Sequence, residues 1–421
     1  MDKILVHGGV RLDGEVRIGG SKNSALPILA ATLLTKEKCV IDRIPDLSDI
    51  HYMLTILGRL GCEVERASGV VQIRAEKILT EAPYDIVRKM RASVCVLGPL
   101  LGREKAAKVS LPGGCVIGDR PIDLHLKGFE ALGAKVTVKG GDIILEATQL
   151  KGTRINLRGR NGPTVLGTGN IMMAAVLADG TTDIEGAAEE PEVIDLANFL
   201  TAMGARISGA GTQHIQIEGV DELHGANHTV IPDRIEAGTF LVAGAIAGNQ
   251  VTITRCEPKH LGSVIEALKN AGFELSHTTD TVTISPNGFR RPLHIETLPY
   301  PGFPTDMQAQ FCAMLATMNG TSVVTETVFP HRFMHVSELK RMGAVIDLSA
   351  HRATIHGVER LSGAPVMASD LRASAALVLA ALPADGITEI NRVYHIDRGY
   401  EAIDEKLNSL GAHIELSLIH I

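Results

Sequence analysis

The sequence predicts an α/β fold of two pseudo-symmetric domains, each made of three copies of one helix–strand unit. Three observations along the 421 residues support this prediction. A glycine between a helix-like and a strand-like segment recurs six times, an apolar helix-like segment recurs at the same interval, and the sixth copy is incomplete. Self-similarity at a fixed interval is typical of a repeated supersecondary unit.

The recurring glycines, called here the marker glycines, lie 68 to 72 residues apart, in segments such as LGRLGCEVE and FEALGAKVTV. They are Gly61, Gly133, Gly204, Gly272, Gly343 and Gly411. Glycine adopts the left-handed conformation that ends many helices, because it has no Cβ atom to clash. The residues after each glycine favour strands. We therefore expect each marker glycine to join an amphipathic helix to a strand.

The apolar segments, called here the core helices, are hydrophobic on nearly all sides and rich in small residues, as expected for helices buried inside a domain. They span residues 24–34, 92–102, 170–180, 238–248, 307–320 and 372–382. Strand-like segments such as AKVSLPG and TSVVTETV follow most of them. The predicted unit is therefore a core helix, a strand, a loop, an amphipathic helix, the glycine turn and further strands.

The sixth copy has only about one strand after Gly411, whereas the other copies have more. The N-terminal segments ILVHGG and GEVRIGG can supply the missing strands. Residues 1–21 are therefore expected to complete the domain of repeats four to six, which spans 231–421. Residues 22–230 are expected to form the domain of repeats one to three, which carries the Cys115 loop.

The last six residues, LSLIHI (416–421), resemble the translation of a common sequencing adapter. We expect this tail to lie outside the fold. The alternative is a genuine last strand.

The composition excludes several classes of partner. Lys and Arg number 41 against 48 Asp and Glu, so the formal net charge of −7 disfavours a broad nucleic-acid-binding surface. The chain has nine Phe, five Tyr and no Trp, which makes base-stacking platforms improbable. No apolar stretch approaches the ~20 residues that span a bilayer, so no membrane insertion is expected.

The start of the chain lacks the basic segment and apolar run of a signal peptide, and a cytoplasmic location is expected. The six cysteines contain no C-x-x-C pair, and the 16 histidines show no spacing typical of a metal site. No metal and no cofactor are predicted.

Five cations occupy equivalent points of the predicted repeats. Lys22, Arg91 and Arg372 lie at the N-termini of core helices, and Arg120 and Arg398 lie in loops between a strand and a helix. Helix N-termini expose unpaired N–H groups and favour anions. Any one of these cations alone would more commonly be a surface residue or an ion-pair partner. Five at related positions indicate a pocket for phosphate and carboxylate groups.

Two further residues suggest chemistry. Cys115 lies in the glycine-rich segment LPGGCVIGDRPID, where Arg120 favours the thiolate; a reactive thiol and an inert one both remain open. Asp306 lies in PYPGFPTDMQAQ, just before a core helix. By itself, Asp306 is best interpreted as a helix cap.

Several segments carry a resemblance that runs in register through nearly the whole chain, to about Glu415. These segments are SKNSALPILAATLL, KMRASVCVLGPLL, LPGGCVIGDRPIDLH, PDRIEAGTFLVA, FPTDMQAQF, ETVFPHRFMHVSEL, DLRASAALV and HIDRGYE. They closely resemble the UDP-N-acetylglucosamine 1-carboxyvinyltransferase family of enolpyruvyl transferases. The resemblance implies the inside-out α/β barrel of that family, with three repeated units in each domain.

The resemblance also implies an activity. The family transfers the enolpyruvyl group of phosphoenolpyruvate to the 3-hydroxyl of UDP-N-acetylglucosamine and releases phosphate through a tetrahedral ketal. This is the first committed step of peptidoglycan precursor synthesis, on which cell-wall biogenesis, cell shape and cell division depend. The family is the target of fosfomycin and uses small-molecule substrates without a cofactor.

Residues of this chain that match the family's motifs acquire roles by that resemblance. The catalytic residues are then Cys115, which protonates the methylene carbon, and Asp306, which takes the sugar hydroxyl proton. The phosphoenolpyruvate-binding residues are Lys22, Asn23, Arg120, Arg372 and Arg398. The UDP-N-acetylglucosamine-binding residues are Arg91, Arg120, Pro121, Ile122, Asp123, Leu124, Asp306 and Val328.

Two alternatives remain. The related 5-enolpyruvylshikimate-3-phosphate synthases share the fold and reaction type, but the Cys115 loop and the ETVFPHRFMH segment favour the first interpretation. A non-catalytic homologue that binds a nucleotide sugar would have no need to keep Cys115, Asp306 and the cations together.

Overall fold

The computed structural model describes residues 3–82, 84–111, 122–286 and 289–417. Contacts between Cα atoms divide the described chain into two compact units. One unit contains the chain up to Gly19 and from Pro232 onwards, and the other runs from Gly20 to Ile231. These limits lie one or two residues from the predicted ones.

The chain begins with two strands, β1 (Lys3–His7) and β2 (Leu12–Arg17). Both belong to the unit that also contains the chain from Pro232 onwards. The helices of the unit from Gly20 to Ile231 are α1 (Lys22–Ala31), α2 (Ser48–Arg59), α3 (Tyr84–Val87), α4 (Leu97–Glu104), α5 (Asp123–Ala131), α6 (Val165–Ala175) and α7 (Pro191–Ala202). Its strands are β3 (Lys38–Asp42), β4 (Glu63–Ala67), β5 (Val70–Arg74), β6 (Glu81–Ala82), β7 (Ala106–Ser110), β8 (Lys135–Lys139), β9 (Asp142–Glu146), β10 (Arg154–Asn156), β11 (Arg158–Gly159), β12 (Gly162–Pro163), β13 (Thr181–Glu185), β14 (Arg206–Ser208), β15 (His214–Glu218) and β16 (Asn227–Thr229).

The remaining elements complete the other unit. Its helices are α8 (Arg234–Ala247), α9 (Gly262–Asn270), α10 (Gln308–Leu315), α11 (His335–Arg341), α12 (Leu371–Ala381) and α13 (Ile403–Ser409). Its further strands are β17 (Gly248–Thr254), β18 (Glu274–His277), β19 (Thr281–Ser285), β20 (His294–Glu296), β21 (Thr321–Thr325), β22 (Val345–Ser349), β23 (Arg352–His356), β24 (Pro365–Met367), β25 (Ile387–Asn391) and β26 (His413–Ser417). Short 3₁₀ helices are Thr32–Leu34, Arg91–Val96, Pro258–Leu261, Thr305–Met307 and Val393–Arg398.

Six four-stranded sheets share one topology. In each, an outer strand is parallel to the strand that follows the core helix, and the other two strands complete the sheet with antiparallel pairs. The strand orders are β16-β3-β5-β4, β6-β7-β9-β8, β10-β13-β15-β14, β2-β17-β19-β18, β20-β21-β23-β22 and β24-β25-β1-β26. A core helix connects the two parallel strands in most repeats, as a parallel pair requires a crossover. The predicted sixfold repeat is confirmed.

The N-terminal strands enter sheets of the last three repeats. Strand β1 lies between β25 and β26, with Lys3 opposite both Asn391 and Ser417, and β2 pairs with β17. The expectation that residues 416–421 lie outside the fold is wrong for Leu416 and Ser417. Both belong to β26, because β1 offers them a free edge with backbone hydrogen-bonding groups. Residues 418–421 lie outside the described residues.

The marker glycines behave as predicted. All six have φ between 95° and 105°. Each donates its N–H to the carbonyl three residues earlier, and the next residue donates to the carbonyl five residues earlier. At Gly133, for example, these bonds reach Glu130 (2.9 Å) and, from Ala134, Phe129 (3.0 Å). This pair of hydrogen bonds ends the amphipathic helix, and the chain then continues into a strand.

The core helices are buried, as predicted, and each unit has its own hydrophobic core. Small residues allow close approach: a Cβ atom at Gly98 would lie 2.2 Å from the carbonyl oxygen of Asn170 on the neighbouring helix. Two core helices begin differently from the prediction, because 3₁₀ turns at Arg91–Val96 and Thr305–Met307 precede α4 and α10. None of the helices in the described part of the chain is long and apolar enough to cross a membrane.

Replacing a marker glycine should destabilise the protein through backbone conformation alone. Gly343 has φ of 95°, and a Cβ atom there would meet nothing within 4 Å. Gly343→Ala should cost about 1–2 kcal/mol, the penalty of a left-handed residue, and lower the melting temperature by several degrees. Gly262, the exposed first residue of α9 in the same unit, has equal space and a helical φ of −47°. Gly262→Ala should leave the melting temperature unchanged or raise it. An equal decrease of the melting temperature in both variants would refute the claim that the left-handed conformation of Gly343 causes the loss.

Candidate active site

Asp306 lies in the 3₁₀ turn Thr305–Met307, which leads into core helix α10. Its carboxylate meets two arginines: Oδ1 is 2.7 Å from Nη2 of Arg332, and Oδ2 is 3.5 Å from Nη2 of Arg372. The Asp306 side chain keeps about a quarter of its surface exposed, whereas both arginines are buried. Asp306 is therefore not a simple helix cap but an accessible carboxylate fixed by two cations.

Arg372 lies in the first turn of core helix α12, whose N-cap residue Asp370 accepts hydrogen bonds from the N–H groups of Arg372 and Ala373. The guanidinium carbon lies 5.3 Å from the ring centre of Tyr400. Burial lowers the pKa of Arg372, but Tyr400 and the carboxylates of Asp306 and Asp233 raise it overall, so the group stays charged.

The donors of Arg372 are only partly used. Its Nε and Nη1 atoms are buried and have no hydrogen-bond partner among the described residues. An unpartnered buried donor is costly, and a guanidinium matches the geometry of carboxylate and phosphate. Arg372 is thus suited to bind an anion beside Asp306.

A buried polar network supports this part of the site. The Tyr400 hydroxyl lies 3.0 Å from Oγ1 of Thr239 on α8 and accepts a hydrogen bond from the Gln310 amide (3.2 Å). Gln310 also donates to the carbonyl of Asp306 (2.9 Å). Burial raises the pKa of Tyr400, so it remains a neutral phenol. The network ties core helices α8 and α10, and the Tyr400 ring that Arg372 of α12 contacts, to the turn that carries Asp306.

The other predicted residues of this unit are Val328 and Arg398. Val328 follows β21, and its N–H donates to the buried carboxylate of Glu326 (3.0 Å). Arg398 is half-buried at the end of the 3₁₀ helix Val393–Arg398. Arg332, Glu326 and Tyr400 were not singled out from the sequence. Their only sequence indication was the resemblance of the segments ETVFPHRFMH and HIDRGYE.

In the unit from Gly20 to Ile231, Lys22 is the first residue of core helix α1, which Ser21 caps. The Lys22 ammonium lies 3.2 Å from Oδ2 of Asp49 on α2, and both side chains are nearly buried. Asn23 is half-buried beside Lys22. A helix N-terminus with a buried ammonium is a favourable place for an anion, with Asp49 holding the lysine in position.

The predicted nucleotide-sugar residues of this unit lie at the starts of two elements. Arg91 begins the 3₁₀ helix before α4, and Asp123 is exposed in the first turn of α5. Ile122 and Leu124 flank Asp123 and pack partly against the core. Burial and, secondly, the charge of Arg91 lower the pKa of His125 to about 4, so His125 is neutral.

Cys115, Arg120 and Pro121 lie outside the described residues. The five other cysteines are buried. Burial raises the pKa of each thiol, to about 12 at Cys62 and Cys95 and to about 11 at Cys256. These thiols are inert packing groups.

One group of potential metal ligands occurs in the described part of the chain. His7 of β1 and His413 and Glu415 of β26 bring two imidazoles and a carboxylate within 4.8 Å of one another. The imidazoles stack at 3.9 Å, and His413 and Glu415 are exposed. Histidine spacing in the sequence did not reveal this group, because its members come from opposite ends of the chain. None of them belongs to the predicted catalytic or binding residues.

A comparison with family models decides the family. Residues 6–407 match the model described as EPSP synthase (3-phosphoshikimate 1-carboxyvinyltransferase). The chain belongs to this family. Proteins named UDP-N-acetylglucosamine 1-carboxyvinyltransferase are similar over nearly their whole length. That of Methylacidiphilum infernorum is 60% identical over 414 residues, or 98% of both chains. That of Akkermansia muciniphila is 60% identical over 418 residues, or 99% of this chain and 98% of the relative.

Solved structures confirm the predicted fold. The enolpyruvyl transferase NikO from Streptomyces tendae is similar with a TM-score of 0.90 and 26% identity, over 99% of each chain. EPSP synthase from Acinetobacter baumannii has a TM-score of 0.79 at 18% identity, over 99% of this chain and all of that one. Because the identity is only 18%, the similarity to the Acinetobacter baumannii structure shows the fold alone. Both predictions, the enolpyruvyl transferase fold and the family, are confirmed.

The cysteines make a labelling prediction. At pH 8 the native protein should react with iodoacetamide at Cys115 and leave the five described cysteines unmodified, because their thiols are buried and protonated. Peptide mass mapping measures the sites, and unfolding in guanidinium should expose all six as a control. An adduct at Cys95 or Cys312 in the native protein would contradict the assignment.

Proposed function

We propose that this chain transfers the enolpyruvyl group of phosphoenolpyruvate to the 3-hydroxyl of UDP-N-acetylglucosamine and releases phosphate. One observation carries most of the proposal. An accessible carboxylate, Asp306, lies beside a buried guanidinium, Arg372, two of whose nitrogens have no hydrogen-bond partner among the described residues. A base next to an anion site is what the transfer of an anionic group to a hydroxyl requires.

In the addition step, Asp306 takes the proton of the sugar 3-hydroxyl while that oxygen bonds to C2 of phosphoenolpyruvate. The methylene carbon C3 receives a proton from the Cys115 thiol, which becomes a thiolate, and a tetrahedral ketal forms. In the elimination step, C3 returns its proton to Cys115 and the bond from C2 to the phosphate oxygen breaks. The hydroxyl proton leaves with phosphate, so the enzyme ends as it began.

The cations hold the charges of phosphoenolpyruvate. We assign this role to Lys22, Asn23, Arg120, Arg372 and Arg398. Their donors bind charged oxygens more strongly once water is excluded. We assign the nucleotide sugar to Arg91, the segment 120–124, Asp306 and Val328.

The choice of acceptor rests on sequence relatives. The two relatives that are 60% identical carry a name that specifies UDP-N-acetylglucosamine, whereas the family model is described by 3-phosphoshikimate. We therefore place the reaction at the start of peptidoglycan precursor synthesis, in the cytoplasm, and propose that fosfomycin alkylates Cys115.

Phosphate release distinguishes the two acceptors. Purified protein with phosphoenolpyruvate and UDP-N-acetylglucosamine should release phosphate and form a product heavier by the enolpyruvyl group, as measured by a phosphate assay and mass spectrometry. Each substrate alone is the control. Phosphate release with shikimate 3-phosphate but not with UDP-N-acetylglucosamine would overturn the choice of acceptor. Substrate binding without release would favour a non-catalytic homologue.

A further inference from the structure

Glu326 is a fully buried carboxylate at the end of β21 that the mechanism above does not use. Two hydroxyls and two backbone N–H groups surround it. Its Oε2 accepts from Thr305 Oγ1 (2.9 Å), and its Oε1 accepts from Thr297 Oγ1 (2.7 Å). A buried charge is tolerated only when its acceptor sites are satisfied, as they are here.

The Oε2 atom of Glu326 is connected to Asp306, the proposed base, through Thr305 and Arg332. Because the Thr305 hydroxyl donates to Glu326, its lone pairs face Nη1 of Arg332, which donates to it (3.1 Å). The other terminal nitrogen of Arg332, Nη2, lies 2.7 Å from Oδ1 of Asp306. Glu326 therefore sets the direction of one hydroxyl, and that hydroxyl fixes the guanidinium that holds Asp306.

The other carboxylate oxygen of Glu326, Oε1, contacts the loop after β21 that contains Val328. It accepts the N–H groups of Val328 (3.0 Å) and Phe329 (2.9 Å). Val328 is a proposed contact of the nucleotide sugar, and the ring of Phe329 lies 5.9 Å from the Arg332 guanidinium. One carboxylate thus holds both the orientation of Arg332 and the backbone at Val328.

We propose that Glu326 is a positioning residue that aligns the base Asp306 with the bound acceptor through the relay of Thr305 and Arg332. The inference rests on the proposed function and adds to it a determinant of the chemical step. Glu326 does not touch substrate. It fixes the position of Asp306 relative to the loop that contains Val328. The Asp306 carboxylate is then aligned with the hydroxyl proton of the bound acceptor.

The relay has a direction that Glu326→Gln reverses. The amide oxygen of glutamine must face the two N–H groups of Val328 and Phe329, so its NH₂ group faces Thr305. Thr305 then accepts from that NH₂ group, in competition with Arg332. Thr305→Val removes the hydroxyl altogether at nearly the same volume, and Thr305→Ser keeps it.

The test compares kcat and KM of these variants in the phosphate-release assay. Thr305→Val and Glu326→Gln should each lower kcat by about tenfold or more, the value of one hydrogen bond to a charged group, with the KM for phosphoenolpyruvate little changed. Thr305→Ser should recover most of the wild-type kcat. Thr297→Val is the matched control, because it removes the same hydroxyl from the same carboxylate at Oε1, away from Arg332.

The control separates positioning from stability. Thr297 is fully buried and also accepts from the N–H of Thr327, so Thr297→Val should lower the melting temperature at least as much as Thr305→Val and yet affect kcat less. Equal losses of kcat in the two valine variants, or no recovery in Thr305→Ser, would overturn the relay while leaving the proposed function intact. Absence of wild-type turnover with any acceptor would overturn both.

Discussion

The burial of the Arg372 guanidinium is the constraint on which the rest of the site depends. A cation removed from water needs compensation, and the chain supplies it with Asp306, the face of Tyr400 and the carboxylate of Asp233. Nε and Nη1 remain without partners among the described residues. The fold thus maintains a charged donor group that an anionic substrate can complete, and it places that group beside the carboxylate proposed as the base.

The repeated unit explains how the fold creates such positions. Each repeat buries a helix whose N-terminus carries partial positive charge, and Lys22 on α1 and Arg372 on α12 are cations at such starts. Sheets of one topology and the glycine turns provide a common frame, whereas most of the functional residues differ between repeats. The sheets, core helices and glycine turns that the repeats share thus stabilise the fold, and residues that occur in single repeats supply the chemistry.

This division also explains what the sequence could predict. The marker glycines and core helices recur, so their conformation and burial followed from spacing and glycine stereochemistry alone. The places of Leu416 and Ser417 in β26 did not, because strand pairing with the N-terminus depends on backbone groups rather than on side-chain character. Arg332 and Glu326 occur once each, and only the folded chain brings Thr305, from the turn before α10, between them.

The central claim is that Asp306 takes the proton of the acceptor hydroxyl, and the kinetics of Asp306→Asn test it most directly. The amide keeps the shape of the side chain but cannot act as the base, so kcat should fall by about 10²–10⁴-fold. Asp385→Asn is the control, because Asp385 is an exposed carboxylate of the same unit that also pairs with an arginine, Arg360, at 2.9 Å. A kcat for Asp306→Asn as close to wild type as that of Asp385→Asn would contradict the account.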